Sequence, residues 1–187
     1  MHHLFQLAAW AELALCWLIW VAAFVRPRTK GPRTVKVLAA PASGLGILFN
    51  LLGFACLLAY IRPAGYESPM ATIIPAMLIA PLSAGLAWRA SLALGKNWRY
   101  AAALNDDHEL VTTGPYRKVR HPIYASMLGM MLATGGAYTW WPMYLVAAVL
   151  ILLGIEIRVR AEERIMEQYF QDEYIEYRAR TRAYLPF

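Results

Sequence analysis

The sequence predicts an all-α integral membrane bundle of about five transmembrane helices, with a short helical hairpin and a cytosolic amphipathic C-terminal helix. Three observations carry that prediction. Of 187 residues, 59% are hydrophobic and only 16% charged, where soluble domains carry about 25% charged residues. The apolar residues gather into runs near the roughly 20 residues demanded by a bilayer core about 30 Å thick. All but Arg62 of the 18 Lys and Arg residues fall in segments that five spans would place on one side. A soluble monomer is thereby excluded. The net charge of +6 follows from topology: by the positive-inside rule the basic side is cytosolic, the amino terminus outside and the tail inside. Nucleic acid is not expected as a partner, because the basic residues lie between apolar runs and not on a solvated face.

The first span is Leu4 to Val25, interrupted by Glu12. It reads as a retained helix and not a cleaved leader, since no small-residue cleavage site follows and Arg26 to Arg33 form a basic stop-transfer flank. Arg26 to Lys36 also leave open a contact with anionic lipid, and His2 and His3 are read as terminal residues outside any element. The second run extends from about Val35 to Ile61, with Pro41 and Gly44 near its start. Arg62 to Pro69 form a short turn, and Met70 to Leu94 a third span that Pro75 and Pro81 should kink. Gly95 to Pro122 is the one long polar, punctuated stretch, where chemistry is expected. Ile123 to Thr134 is a short arm of twelve residues, Gly135-Gly136 its turn, and Trp140 to Ile157 the return, with Trp140 and Trp141 as interfacial belt residues. From Arg158 the last helix continues into water. No internal repeat is visible, and the chain reads as a single domain over 1–187, with 1–94 a three-helix scaffold and 95–187 the portion in which chemistry is expected.

Two clusters carry chemistry. In His108 to Gly129, Gly114-Pro115 turns the chain so that Tyr116, Arg117, Lys118, Arg120 and His121 reach the membrane surface. Pro122 then opens a helix, where its missing N–H costs nothing. Backbone N–H groups at that start, beside Arg120 and His121, make a corner suited to a carboxylate or phosphate. Arg117 and Lys118 are read as snorkelling anchors. In Ile155 to Phe170, Glu156, Arg160, Glu163 and Glu167 share one helical face. Arg164 and Glu167 suit a solvent-exposed ladder, whereas charges at the membrane boundary face a cavity or each other; there Glu163 would take a cationic ligand and Arg160 an anionic one. Cys16 and Cys56 have no metal or redox spacing and read as buried apolar side chains. Asp106, Asp107 and His108 lack a further ligand at suitable spacing, so no metal is expected. Glu12 is open to a structural hydrogen bond or a role in a pocket.

Taken together, His108 through Arg120-His121-Pro122-Ile123-Tyr124, then Glu162-Glu163, Tyr174 and Tyr177, and the closing Tyr184-Leu185-Pro186-Phe187, resemble the isoprenylcysteine carboxyl methyltransferase family, with which phospholipid methyltransferases share much of the pattern. The resemblance runs from about Leu94 to the end; Ser126 and Gln171 stand where the family often has Gly, which puts the shape of the acceptor in question more than the reaction. It implies a multi-pass membrane enzyme that uses S-adenosylmethionine, with Tyr116, Arg120, His121, Pro122 and Tyr124 lining the cofactor site and Glu162 and Glu163 holding its polar end. Arg120, Arg160 and Glu163 are then the expected catalytic set, Arg160 positioning an acceptor carboxylate. The acceptor would be lipophilic, a prenylated or other lipid-like molecule entering from the bilayer between the short hairpin and the third helix, with no obligatory protein partner. The alternative within the class is a phospholipid or small-molecule N- or S-methyltransferase, in which Glu163 or His121 would accept the proton that an amine must lose. A membrane carrier lacks its internal duplication here, and a dinucleotide-dependent reductase lacks a GxGxxG element.

Overall fold

The computed structural model describes residues 2–25, 36–39, 42–59, 61, 63–98, 103–105 and 108–185. Helices α1 (His2–Val25), α2 (Ala42–Leu58), α3 (Met70–Leu94), α4 (Pro122–Ala137) and α5 (Trp141–Phe170) form the bundle, and α6 (Asp172–Arg180) follows at its end. Strands β1 (Lys36–Ala39) and β2 (Ala103–Asn105) pair antiparallel, Leu38 opposite Leu104. Short 3-10 turns occupy Gly95–Asn97 and Gly114–Arg117. The fold is the helical membrane bundle expected: α1, α3 and α5 are each long and apolar enough to cross a membrane. At 17 and 16 residues, α2 and α4 rise about 26 and 24 Å. The flank at Arg26 to Arg33 with its lipid contact, Arg62, Asp106-Asp107 and Pro186-Phe187 lie outside the described residues.

Three boundaries differ from the sequence reading, each for a structural reason. The second run opens as β1 and not as helix, because Lys36–Ala39 pair antiparallel with Ala103–Asn105, a partner far along the chain. Helix α4 runs to Ala137, through Gly135 and Gly136, which were read as a turn. A Cβ at Gly136 would stand 2.8 Å from the Thr72 carbonyl oxygen, so this glycine serves close approach of α4 to α3. At the amino terminus α1 begins at His2, and His3 Nε2 lies 3.2 Å from Glu67. Helix α3 continues through both Pro75 and Pro81.

Small residues set the helix crossings, as is usual where lipid removes the hydrophobic drive for helices to associate. Ala76, Ala80 and Ala84 of α3 pack with Met130, Ala133 and Ala137 of α4, and Gly129 backs onto Ser83. Helix α2 lies on α5 through Gly46, Gly53 and Gly154. Helix α1 is tied to α4 by three indole N–H donors: Trp10 to Ala137 O (2.8 Å), Trp17 to Thr134 Oγ1 (3.1 Å) and Trp20 to Ser126 Oγ (3.1 Å). Ser126, one departure from the family pattern, is thus an anchor for α1. Toward α2, α1 offers chiefly rings, Trp17 meeting Phe54 at 5.3 Å between centroids.

The second departure is a strain point. Gln171 joins α5 to α6 at φ 48°, ψ −122°, nearly the angles of Gly95 after α3 at φ 49°, ψ −117°. A side chain there costs about 1–3 kcal/mol, of which the flexibility of an unfolded glycine returns about 0.5–1. Gln171→Gly is therefore expected to stabilise the protein by about 1 kcal/mol, read as a higher Tm in detergent; a lower Tm would show that the Gln171 side chain has a favourable role.

Candidate functional site

The polar hub of the molecule forms where the start of α4 meets the charged end of α5. The apolar stretch of α5 ends at Ile157, so residues 158–170 project past the spanning segment. Glu163 Oε1 receives Arg120 Nε and Nη2 and lies against His121 Nε2, each at 3.0 Å. Side-chain exposures of 12% for Arg120 and 14% for Glu163 make this an interior pair, which is costly to leave half-made. Although burial alone would raise it, the His121 and Arg120 contacts hold the Glu163 carboxyl well below its ordinary value of 4.5, at about 2. Glu162, one residue earlier, accepts from the Tyr124 hydroxyl and stands 3.9 Å from His121 Nδ1.

The carboxyl-terminal tail straps this hub. Arg120 and His121 donate their backbone N–H groups to Arg182 O (2.8 Å) and Ala183 O (2.9 Å), and Arg120 Nη1 donates to Thr181 O. The Tyr177 hydroxyl donates to Tyr116 O at 2.7 Å. Burial pushes the phenol of Tyr116 well up, and those of Tyr177 and Tyr184 up to about 12, so all three stay protonated. The strap uses two amides that the sequence reading left for an anion. What remains at the α4 start is the first turn itself, with no side-chain cap on Ile123 and Tyr124.

A cavity of about 660 Å³ opens beside the hub. Its polar end carries Tyr116, Arg120, His121, Tyr124, Arg158 and Glu162; its apolar end reaches Trp17, Trp20, Phe24, Leu51, Phe54 and Met127. Trp17 lies eight residues, about 12 Å, before the end of α1, so the apolar end descends into the bilayer. Of the residues singled out from sequence, Tyr116, Arg120, His121, Tyr124 and Glu162 share this wall, and Pro122 opens α4 behind them. Glu163 is engaged one layer back.

Arg160 is not brought to the site. Its side chain is 70% exposed and pairs with Glu156 at 2.6 Å. The face was assigned from the spacing of Glu156, Arg160, Glu163 and Glu167, whereas the cavity sees Arg158, Glu162 and Ile165, the face a turn of 200° away from position 160. The i,i+4 spacing of Arg158 and Glu162 was the signal that could have found it. Entry between the hairpin and α3 is also not what the packing allows: α3 and α4 are closed against each other by Gly129 and Gly136, and the cavity lies instead against α1 and α2. Glu12 sits apart from it, among Ala9, Ala76 and Ala80.

Fold and site together define a helical membrane protein with a charged hub at one end of a deep, largely apolar cavity. A sequence model of the phospholipid methyltransferase family matches residues 71–173, and the chain belongs to that family. It is similar to the probable protein-S-isoprenylcysteine O-methyltransferase of Oryza sativa subsp. indica, 36% identical over 83 residues, which cover 44% of this chain and 43% of that protein. The protein-S-isoprenylcysteine O-methyltransferase of Saccharomyces cerevisiae is 34% identical over 92 residues, 43% of this chain and 34% of its own length. The cobalt-zinc-cadmium resistance protein CzcN of Cupriavidus metallidurans is 28% identical over 121 residues, 65% and 51% of the two chains. The matched part thus spans less than half of the two methyltransferases.

Proposed function

We propose that the chain is an S-adenosylmethionine-dependent methyltransferase acting on a lipophilic acceptor at the cytosolic face of a membrane, with its amino terminus outside. The observation that carries this reading is one cavity with two chemistries, a charged aromatic end at the α4 start and an apolar end between α1 and α2. Its volume falls within the range of about 300–1,000 Å³ usual for small-molecule sites. The residues fit the donor: the Glu162 carboxylate suits its amino group, the Tyr116 and Tyr124 rings its sulfonium, and the α4 start its carboxylate. When bound, S-adenosylmethionine supplies an electrophilic methyl group that an acceptor takes by in-line displacement at carbon.

The protein's part is placement and exclusion of water, which together supply much of the rate in such transfers. Glu163 fixes Arg120 and His121, and through them the strap that closes the polar end. Glu162 is oriented by Tyr124. The apolar rings of α1 and α2 hold the acceptor's chain, so residues before 71 are part of the site and not only a scaffold. The names of the rice and yeast relatives support a prenylated carboxylate as acceptor; methylation of a phospholipid amine is the alternative that the family's name supports.

Calorimetry with the purified protein in detergent tests the donor. Wild type is expected to bind S-adenosylmethionine, and Arg120→Ala to lose at least tenfold in affinity, the equivalent of one charge-assisted hydrogen bond of about 1.5 kcal/mol. Equal binding by both would contradict the site; no binding by either would contradict the enzyme class.

A further inference from the structure

We propose that Trp17 is a crossbar that closes the apolar end of the cavity and limits the acceptor to a chain of about two isoprene units. The proposal rests on the reading that this cavity takes a lipophilic methyl acceptor, and it concerns chain length alone, whatever the head group. Trp17 lies outside the stretch of the chain matched by the family.

The cavity wall stops on three helices. Counted from the polar end, its last residues are Trp17 on α1, Phe54 on α2 and Met127 on α4. About one helical turn farther along each, Leu13, Leu57 and Met131 are buried but no longer line the cavity. They belong to the packed core instead, Leu13 with Ala76 and Ala80, and Leu57 with Met131 and Ile151. At the boundary Trp17 reaches across the bundle from α1. Its indole N–H donates to Thr134 Oγ1 of α4 at 3.1 Å, and its ring meets Phe54 of α2 edge to face, 5.3 Å between centroids at 88°. Thr134 is fully buried and donates in turn to Met130 O at 2.7 Å, which fixes the far end of the bar. Trp20 braces it from the polar side, its ring at 5.4 Å and its own N–H held by Ser126.

The depth of this arm follows from helix rise. Phe24 and Ile47 are the first lining residues of α1 and α2 from the polar end, and positions 24 to 17 and 47 to 54 each span about 10 Å. The four chain bonds of an isoprene unit extend about 5 Å, in proportion to the three bonds that span about 3.8 Å between Cα atoms. Two units therefore fill the arm. A third must displace the indole or draw the head group back from the polar end, and the first is costly because the residues behind Trp17 are already close-packed.

The test is a competition between N-acetyl-S-geranylcysteine and N-acetyl-S-farnesylcysteine, equimolar in one detergent solution of the full chain, with the bound probes resolved by native mass spectrometry. The head groups are identical, so the ratio reports the chain. Wild type is expected to hold the geranyl probe in about tenfold excess, an ordinary penalty for overpacking. In Trp17→Ala the floor drops to Leu13, about 6 Å deeper and room for one more unit, and the two probes should bind within about twofold of each other. Phe54→Ala, which removes the ring that Trp17 rests on, should shift the ratio the same way. Trp10→Ala is the control: it removes another indole donor from α1 to α4, Trp10 to Ala137 O at 2.8 Å, away from the cavity wall, and should keep the wild-type ratio. A cooperative thermal transition in detergent reports that each variant is folded. Equal binding or a farnesyl preference in wild type, a geranyl preference retained in folded Trp17→Ala, or its loss in Trp10→Ala would each overturn the length limit and leave a lipophilic acceptor in place. Binding of neither probe by wild type would refute the lipophilic acceptor and the length limit with it. A wild type that selects the geranyl probe but does not bind S-adenosylmethionine would refute the methyl donor and leave this inference standing.

Discussion

Glu163→Gln is expected to cost about 3 kcal/mol of stability, because it leaves the interior guanidinium of Arg120 facing a neutral amide. Thermal unfolding in detergent measures it, and donor affinity should fall with it, since the Arg120 and His121 side chains both rest on this carboxylate. The effect has a defined pH dependence. With its value lowered from 4.5 in the unfolded chain to about 2 in the fold, Glu163 stabilises the protein fully above about pH 4.5, and the contribution drains away as pH falls toward 2. The Tm gap between wild type and Glu163→Gln should therefore not shrink from pH 7 to pH 5, and should close below pH 4.5. A gap that vanishes already at pH 6 would contradict the depressed value.

Removal of residues 181–187 is expected to have the larger effect on binding. It deletes the carbonyl acceptors of the Arg120 and His121 amides, the Thr181 oxygen that receives the Arg120 guanidinium, and the Tyr184 ring 6.1 Å from His121. Two ordinary hydrogen bonds and one charge-assisted bond come to about 3–5 kcal/mol, or at least a hundredfold in S-adenosylmethionine affinity. The bundle should persist, because the crossing of α3 with α4 and the glycine contacts of α2 with α5 do not involve the tail, whose Tyr184 packs only at the edge of the core that α2, α4 and α5 share. Near-normal affinity in the truncated protein would show that the strap is not part of the site.

What could be read from the sequence depended on the range of the interaction. Helix type and the positions of α1, α3 and α5 follow from apolar run length, a local property, and they match. Gly135 and Gly136 show the limit of local rules: the same two residues that signal a turn also permit a close crossing, and only the Thr72 carbonyl of α3 decides between them. The meeting of Arg120 with Glu163 was legible because the two segments carry a joint pattern. Arg158 was not, since its position is set by Gly46 and Tyr124 on two other helices, and its i,i+4 spacing to Glu162 is matched by that of Glu156 to Arg160. The aromatic wall of Trp17, Trp20 and Phe54 was hidden for a different reason, being chemically identical to lipid-facing residues until α2 and α4 enclose it.

The most direct measurement is a structure of the protein bound to S-adenosylhomocysteine. The account predicts the ligand at the polar end of the cavity, its amino group within hydrogen-bond reach of Glu162 and its sulfur turned toward the opening between Arg158 and Phe54. Density for the ligand on any other surface, or in this cavity with the sulfur walled off from the apolar end, would contradict it.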